Sequence, residues 1–364
     1  MSRIVIDARE LRTSSGRYVE RLLHYLQQLG SDHLYLVLLK PQDTRNWQAS
    51  AENFIPVACP YKEFTFAEQL QLKWQIMRLR PDLVHFAFPQ QPVWYRGKTV
   101  TTVHDLTTLW FTNFDKNQLI FKFKQRVYGF VMKRAVHKAE HVLTPSEHTK
   151  SDVVKFLDVP AEKITVTYEA ADPIKEPAQV MPNLRGKQFI MYVGRPTPHK
   201  NLERLIEAFV KLQAENPKLH LVLAGKIDSN YQRIEDKATQ LGVKNLVFTD
   251  FVSEGQLRWL YTHCAAYIFP SLNEGFGLPG LEAMQHGAPV VSSNVSCLPE
   301  IYGTAAHYFD PHEIDDIANA INDVLTDKKL RDKLVAAGSK KVAKYSWKRM
   351  AEQTLAVYEA ALKN

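Results

Sequence analysis

Two glutamates, Glu274 and Glu282, stand eight positions apart in the run P-S-L-N-E-G-F-G-L-P-G-L-E-A-M over residues 270–284. The run follows an apolar strand candidate, Ala266–Phe269, so it opens at a strand's carboxyl end. Gly275 and Gly277 let backbone approach a ligand closely. Pro279 suits the first position of a helix, and Gly287 suits its end. The amides around Phe276, Gly277 and Leu278 then form a helix N-terminus, which attracts a diphosphate. Carboxylates are strong hydrogen-bond acceptors, and sugars and riboses are rings of hydroxyl donors. One acceptor on each side of a phosphate-binding turn suits a nucleoside-diphosphate sugar. The plainer alternative is a Gly-Pro turn with a capping acid.

The elements that must hold this run read as alternating short apolar strands and amphipathic helices, the pattern of parallel-sheet α/β architecture. In the first half, strands are expected at Arg3–Ala8, Tyr35–Leu39, Leu83–Phe86, Lys98–Val103 and His141–Thr144, with a helix from about Gly16 to Leu29. Ser146 is placed to cap the helix that begins at Glu147. A proline-rich stretch over residues 172–183 reads as a linker. The cycle then restarts, with strands at Gln188–Val193, Leu219–Ala224, Leu246–Thr249, Ala266–Phe269 and Pro289–Ser292. Two similar α/β domains follow, 1–172 and 173–345. The last helix, about residues 346–364, is assigned to the first. A ligand crevice is expected at the carboxyl ends of both sheets.

With Glu274 and Glu282 in E-G-F-G-L-P-G-L-E-A-M, the chain resembles the family 4 retaining glycosyltransferases. The resemblance runs over nearly the whole chain, taking in Pro299-Glu300 after Asn294 and Tyr345-Ser346-Trp347 before the last helix. It implies the GT-B fold, two Rossmann-like doubly wound domains facing a central cleft. It also implies that Glu274 contacts the transferred sugar and Glu282 the nucleoside ribose. The segment from Gly194 through Arg195 to Lys200 looks like the one whose Arg and Lys bind the diphosphate. Two cations there would offset leaving-group charge, Arg as a fork and Lys as a point charge.

The loop ending in Ser15 and Gly16 resembles the family's glycine-rich loop, although Ser14-Ser15 replaces its usual Gly-Gly or Gly-Ile; an ordinary strand-to-helix turn is the alternative. His104 resembles the family's active-site histidine, with Asp105 orienting it or capping the next segment. The catalytic set expected is His104, Glu274, Arg195 and Lys200. The donor-binding set adds Ser15, Gly16, Gly194, Gly275, Phe276, Gly277, Leu278 and Glu282.

No cofactor beyond the nucleotide sugar is expected, with GDP-mannose ahead of UDP-glucose. No metal is expected either, since the sequence has no Asp-x-Asp signature, and Asp315-Asp316 reads as a helix start. A degenerate, non-catalytic nucleotide-sugar or glycan binder is the competing class. A nicotinamide dehydrogenase is disfavoured, because no G-x-G-x-x-G follows the first strand.

Composition narrows the setting. The 364 residues are 45% hydrophobic and 23% charged, ordinary for a globular chain. Three widely spaced cysteines give no disulfide framework, which fits a reducing, cytoplasmic compartment. No stretch reads as a signal peptide or a membrane span. The net charge is +7, and residues 1–172 hold 23 basic against 18 acidic residues, so most of the excess lies there. Between Lys116 and Ala139 there are seven Lys or Arg and no acid, interleaved with Ile120, Phe123, Val127, Phe130 and Val131. Either this is a core helix with a solvated basic face, or it lies on an anionic bilayer at the inner face of the cell membrane. A glycan or lipid-linked acceptor is expected; nucleic acid is not.

Overall fold

In the computed structural model every residue is described except Ser14, Ser15, residues 112–117 and Asn364, and residues 118–120 are described by backbone alone. The described residues form two compact units: 1–110, 118–169 and 346–363 make the first, and 111 with 170–345 the second.

The first unit is built on seven parallel strands: β1 (Arg3–Asp7), β2 (Leu34–Leu39), β3 (Phe54–Ala58), β4 (Leu83–Phe86), β5 (Thr99–Thr102), β6 (His141–Thr144) and β7 (Ile164–Val166). Their order is β3-β2-β1-β4-β5-β6-β7. Its helices are α1 (Arg17–Leu29), α2 (Pro41–Thr44), α3 (Lys73–Leu79), α4 (Thr107–Trp110), α5 (Gln118–Lys138) and α6 (Glu147–Leu157). A π turn over Glu68–Leu72 runs straight into α3. Ser146 caps α6 by accepting from the Thr149 amide, as the sequence predicts.

The second unit has six parallel strands: β8 (Phe189–Val193), β9 (His220–Ala224), β10 (Leu246–Phe248), β11 (Ala266–Phe269), β12 (Val290–Ser293) and β13 (Ala306–Phe309). Their order is β10-β9-β8-β11-β12-β13. Around them lie α7 (Leu202–Glu215), α8 (Ser229–Gln240), α9 (Glu254–His263), α10 (Leu278–Gln285), α11 (Leu298–Tyr302), α12 (Ile314–Thr326) and α13 (Lys328–Val342). Asp315 and Asp316 fall in the first turn of α12, where carboxylates oppose the helix dipole. The last helix, α14 (Trp347–Lys363), packs on α1 of the first unit. Its Tyr358 hydroxyl meets His85 Nδ1 at 2.5 Å, and Lys98 Nζ donates to the Leu362 carbonyl.

Register shows which helices share a face of the first sheet. Phe86 of β4 pairs with Thr101 of β5, and Thr101 with Val142 of β6. Paired residues of parallel strands point the same way. Phe86 and Val84 pack with Leu72 and Ile76 at α3, while Val142 packs with Tyr128, Met132 and Val136 of α5. Helices α3 and α5 therefore cover one face. His85 and Thr102 point to the other, toward α14 and α1. Contrary to the inward-facing alternative, the α5 residues Phe123, Val127 and Phe130 are exposed; its core face is Tyr128, Met132, Ala135 and Val136.

Candidate functional site

Strand β11 ends at Phe269, and the chain turns through the candidate glutamate run into α10. The Glu274 amide donates to Ser296 Oγ at 3.2 Å. Gly275 and Phe276 are buried, and the Phe276 ring packs edge-on against Tyr345 with centroids 5.5 Å apart. Gly277 is the N-cap of α10 at φ 87°, left-handed. A Cβ there would lie 2.5 Å from Tyr302 Oη, so the position needs glycine twice over. The Tyr302 hydroxyl donates to the Gly277 carbonyl at 2.5 Å. Burial, with the nearby Glu274 carboxylate adding to it, pushes that phenol well above its ordinary range and keeps it a donor. Leu278 and Pro279 open the helix with no side-chain cap; the Gly280 amide donates to the Gly277 carbonyl at 3.2 Å, and the positive end of the helix dipole faces an anion placed at this turn.

Glu282, in the second turn of α10, faces the Tyr261 hydroxyl at 3.4 Å, and the Tyr261 ring stacks on His286. Burial and nearby Arg258 lower the His286 pKa from its ordinary value.

A second segment leaves the end of β8. Gly194 receives a hydrogen bond on its carbonyl from Tyr231 Oη at 2.8 Å. Arg195 is exposed, and its guanidinium meets no carboxylate among the described residues. A short turn, Pro198–Lys200, then brings Lys200 Nζ to 2.6 Å from Glu274 Oε1. Both side chains are mostly buried, at 19% and 12% exposure, which strengthens their attraction relative to a surface pair. Buried Asn201, in the left-handed region at φ 60°, donates to the carbonyls of Pro270 and Pro311. It fastens the Lys200 turn to the start of the glutamate run. Two segments that lie far apart in sequence therefore meet at one ammonium–carboxylate pair. The loops after β9 and β10 are joined by a bridge between Gly225 and Asp250.

In the first unit, Gly16 precedes α1 and packs on the carbonyls of Glu10 and Leu11, where a Cβ would fall within 2.3 Å. The loop's own packing thus accounts for this glycine. Ser15 lies outside the described residues. Upstream, Arg9 is buried and paired with Asp7 and Glu68 at 2.7 and 2.9 Å. Burial works against its charge, but those two carboxylates outweigh the penalty and raise its pKa.

His104 follows β5, with its ring between Tyr18 and Phe88. Its Nε2 donates to the Ala87 carbonyl at 3.0 Å, and its Nδ1 lies 3.3 Å from a carboxylate oxygen of buried Glu169. Asp105 does not orient the ring. Its Oδ1 accepts from the Thr107 amide and caps the short turn of α4. Glu169 was not legible in the sequence: 65 positions from His104, it belongs to no spaced motif. Among the described residues no group of three His, Cys, Asp or Glu side chains is placed to hold a metal ion.

Two family models match the chain. "Glycosyltransferase Family 4" covers residues 15–174 and "Glycosyl transferases group 1" covers residues 176–341. The O-antigen chain mannosyltransferase B of Escherichia coli is 30% identical over 275 residues, which is 72% of this chain and 70% of that protein. The serotype-specific mannosyltransferase WbdA of E. coli is 31% identical over 263 residues, 69% of this chain but only 32% of WbdA. Among solved structures, sucrose-phosphate synthase of Thermosynechococcus elongatus superposes with a TM-score of 0.79 at 18% identity, covering 99% of each chain. Anabaena HepE, solved with UDP and glucose, gives 0.73 at 17% identity, covering 99% of this chain and 100% of that one. At those identities the structural likeness speaks for the fold.

Proposed function

The chain belongs to the group 1, family 4 glycosyltransferases of the GT-B fold, and from that premise we propose that it transfers a hexose with retention of anomeric configuration. Mannose is favoured and glucose is next, from GDP-mannose or UDP-glucose respectively. The mannosyltransferase relatives support the first and the UDP and glucose in HepE support the second. The acceptor is a hydroxyl of a lipid-linked or polysaccharide intermediate, met on the cytoplasmic side. The basic α5 segment lies against the anionic inner face of the cell membrane. No helix among the described residues is long and apolar enough to cross a membrane, so the attachment proposed is peripheral.

The observation that carries this reading is the Lys200–Glu274 pair just ahead of α10. The diphosphate would lie against the first amides of α10, with Lys200 and Arg195 drawing its charge. Glu274 would accept from the transferred sugar's hydroxyls and Glu282 from the ribose. The base would rest on backbone of the joined loops around Gly225-Lys226 and Phe251-Val252. As the bond from the anomeric carbon to the phosphate oxygen breaks, the two cations offset the charge left on the diphosphate, with no metal required. The acceptor oxygen attacks from the same face, and its proton passes to the departing phosphate oxygen. His104 would steer the sugar or acceptor.

Turnover of GDP-mannose and UDP-glucose by wild type, Glu274→Ala and Lys200→Ala tests the assignment. Each variant is expected to lose about 10²–10³-fold in turnover. Turnover untouched in both would remove the proposed site. Donor binding without turnover in wild type would favour the non-catalytic binder.

A further inference from the structure

The large exposed apolar side chains are unevenly shared. In the second unit they are scattered: Val180, Ile227, Leu241 and Phe251. In the first unit most of them sit on or beside two helices that cover one face of the sheet. Phe66, Leu70, Trp74 and Met77 recur at spacings of four, four and three through the π turn and α3, one stripe of a helix. Phe66 is 88% exposed and Trp74 59%, while Leu72 and Ile76 hold the opposite side of the same segment in the core. On α5 the outward stripe is Phe123, Val127 and Phe130. Helix α5 is fastened to the chain just before the π turn and to the loop between β4 and β5. The Phe64 ring lies 5.8 Å from that of Tyr128, and Lys138 Nζ donates to the Pro92 carbonyl beside Tyr95.

Charge along the two helices themselves is almost all basic, although Lys133 of α5 lies 4.0 Å from the exposed Asp158 carboxylate just after α6. The one acid between Thr65 and Arg80 is Glu68, which is buried against Arg9. Residues 118–138 hold none. Beyond α3, at the amino ends of β4 and β5, a groove of about 590 Å³ is lined by Lys73, Met77, Arg80, Trp94 and Arg96 among others. It lies at the end of the sheet opposite His104, which follows the carboxyl end of β5. Trp94 is 57% exposed at its edge. Aromatic and aliphatic side chains flanked by an excess of cations complement an anionic bilayer: the rings enter the headgroup boundary and the cations meet lipid phosphates.

We infer that the α3 stripe, with Trp94 and the cationic groove, is a docking surface for an anionic phospholipid bilayer, acting together with α5. This rests on the peripheral-membrane reading above and extends it to a second helix and a headgroup groove. Two helices on one side of a rigid sheet can meet a flat surface together, and two weak attachments give a stable one.

Sedimentation of the full chain with phosphatidylcholine vesicles, with and without phosphatidylglycerol, tests it. Wild type should partition onto the phosphatidylglycerol vesicles, less so as salt is raised, with a blue shift of tryptophan emission. Leu70→Glu with Trp74→Glu should lose about tenfold or more of that partition, with the melting curve and the Tm increment from GDP or UDP unchanged. Unchanged partition of this double variant overturns the inference. If a Lys122/Lys124/Lys133/Arg134 to Glu variant is meanwhile released, the α5 reading stands and only the α3 surface falls. If wild type itself stays in solution, both fall, while the nucleotide-induced Tm increment still reports on the donor site separately. If lipid-free wild type is a dimer in sedimentation velocity and Leu70→Glu with Trp74→Glu is a monomer, the face joins two copies of the chain and the inference is overturned.

Discussion

His104 is gripped at both ring nitrogens, and this limits what it can offer a ligand. A carbonyl and a carboxylate only accept, so Nε2 donates to the Ala87 carbonyl, and the Glu169 carboxylate faces Nδ1 at 3.3 Å as an acceptor. Glu169 is thus a positioning residue for the ring rather than a group that reaches a sugar. Glu169→Ala should lower kcat for sugar transfer by about 10²-fold through loss of alignment, with a smaller change in KM for the nucleotide sugar. Glu169→Gln, which can still accept from Nδ1, should recover part of the loss. Steady-state kinetics of the two variants check this. A purely structural role would instead lower Tm in both and leave the kcat of folded protein unchanged. The residues that sequence could find here sit in strings, such as the one from Glu274 to Glu282. Glu169 could not be found that way, because its partner comes from a different strand's end and no local pattern links them.

At the scale of elements, α10 depends on the turn that starts it. Gly277→Ala places a Cβ against Tyr302 and forces a residue that prefers right-handed backbone into φ 87°. Urea unfolding should show a loss of about 1–3 kcal/mol. GDP and UDP should bind more weakly, because the amides of the first turn are displaced. The short helix after this turn and the central strands β8, β11 and β12 were legible in the sequence, the strands as apolar runs and the helix from its Pro279 start and Gly287 end; helices α9, α11 and α13 were not. Three strands were not: β3, β7 and β13, and each is an edge strand. An edge strand is covered less completely, so it lacks the continuous apolar run that marks a buried parallel strand. β3 also carries Pro56, which an edge tolerates and a central strand does not. On α5, spacing alone found an apolar stripe but not which way it faces. The buried side is the one with Tyr128, Met132, Ala135 and Val136, and Phe123 and Phe130 point outward.

The whole molecule contains two cores with different sensitivities. In the first unit, His85 is buried between the hydroxyls of Thr102 and Tyr358, joining β4 to the last helix of the chain. Burial, helped by the charge on His104, lowers its pKa from 6.5 to about 3. The unfolded chain therefore takes up this proton at a higher pH than the folded chain does. His85's contribution to stability is complete above about pH 6.5 and declines as the pH falls toward 3. The loss is about 1.4 kcal/mol for each pH step in which only the unfolded chain is protonated. In the second unit the candidate donor site lies on α10 and the Lys200 turn, so nucleotide should stabilise that unit, by about 2.7 kcal/mol at a hundred times Kd. Calorimetry across both variables should then resolve two responses. Lowering the pH from 7 to 4.5 should lower the first unit's transition, and His85→Leu should be less stable at pH 7 but flatter across that range. GDP or UDP should raise the second unit's transition and leave the first unit's pH response unaltered. A single transition in which pH and nucleotide move the same midpoint, with the His85→Leu slope equal to that of wild type, would show that these residues do not control the two cores separately.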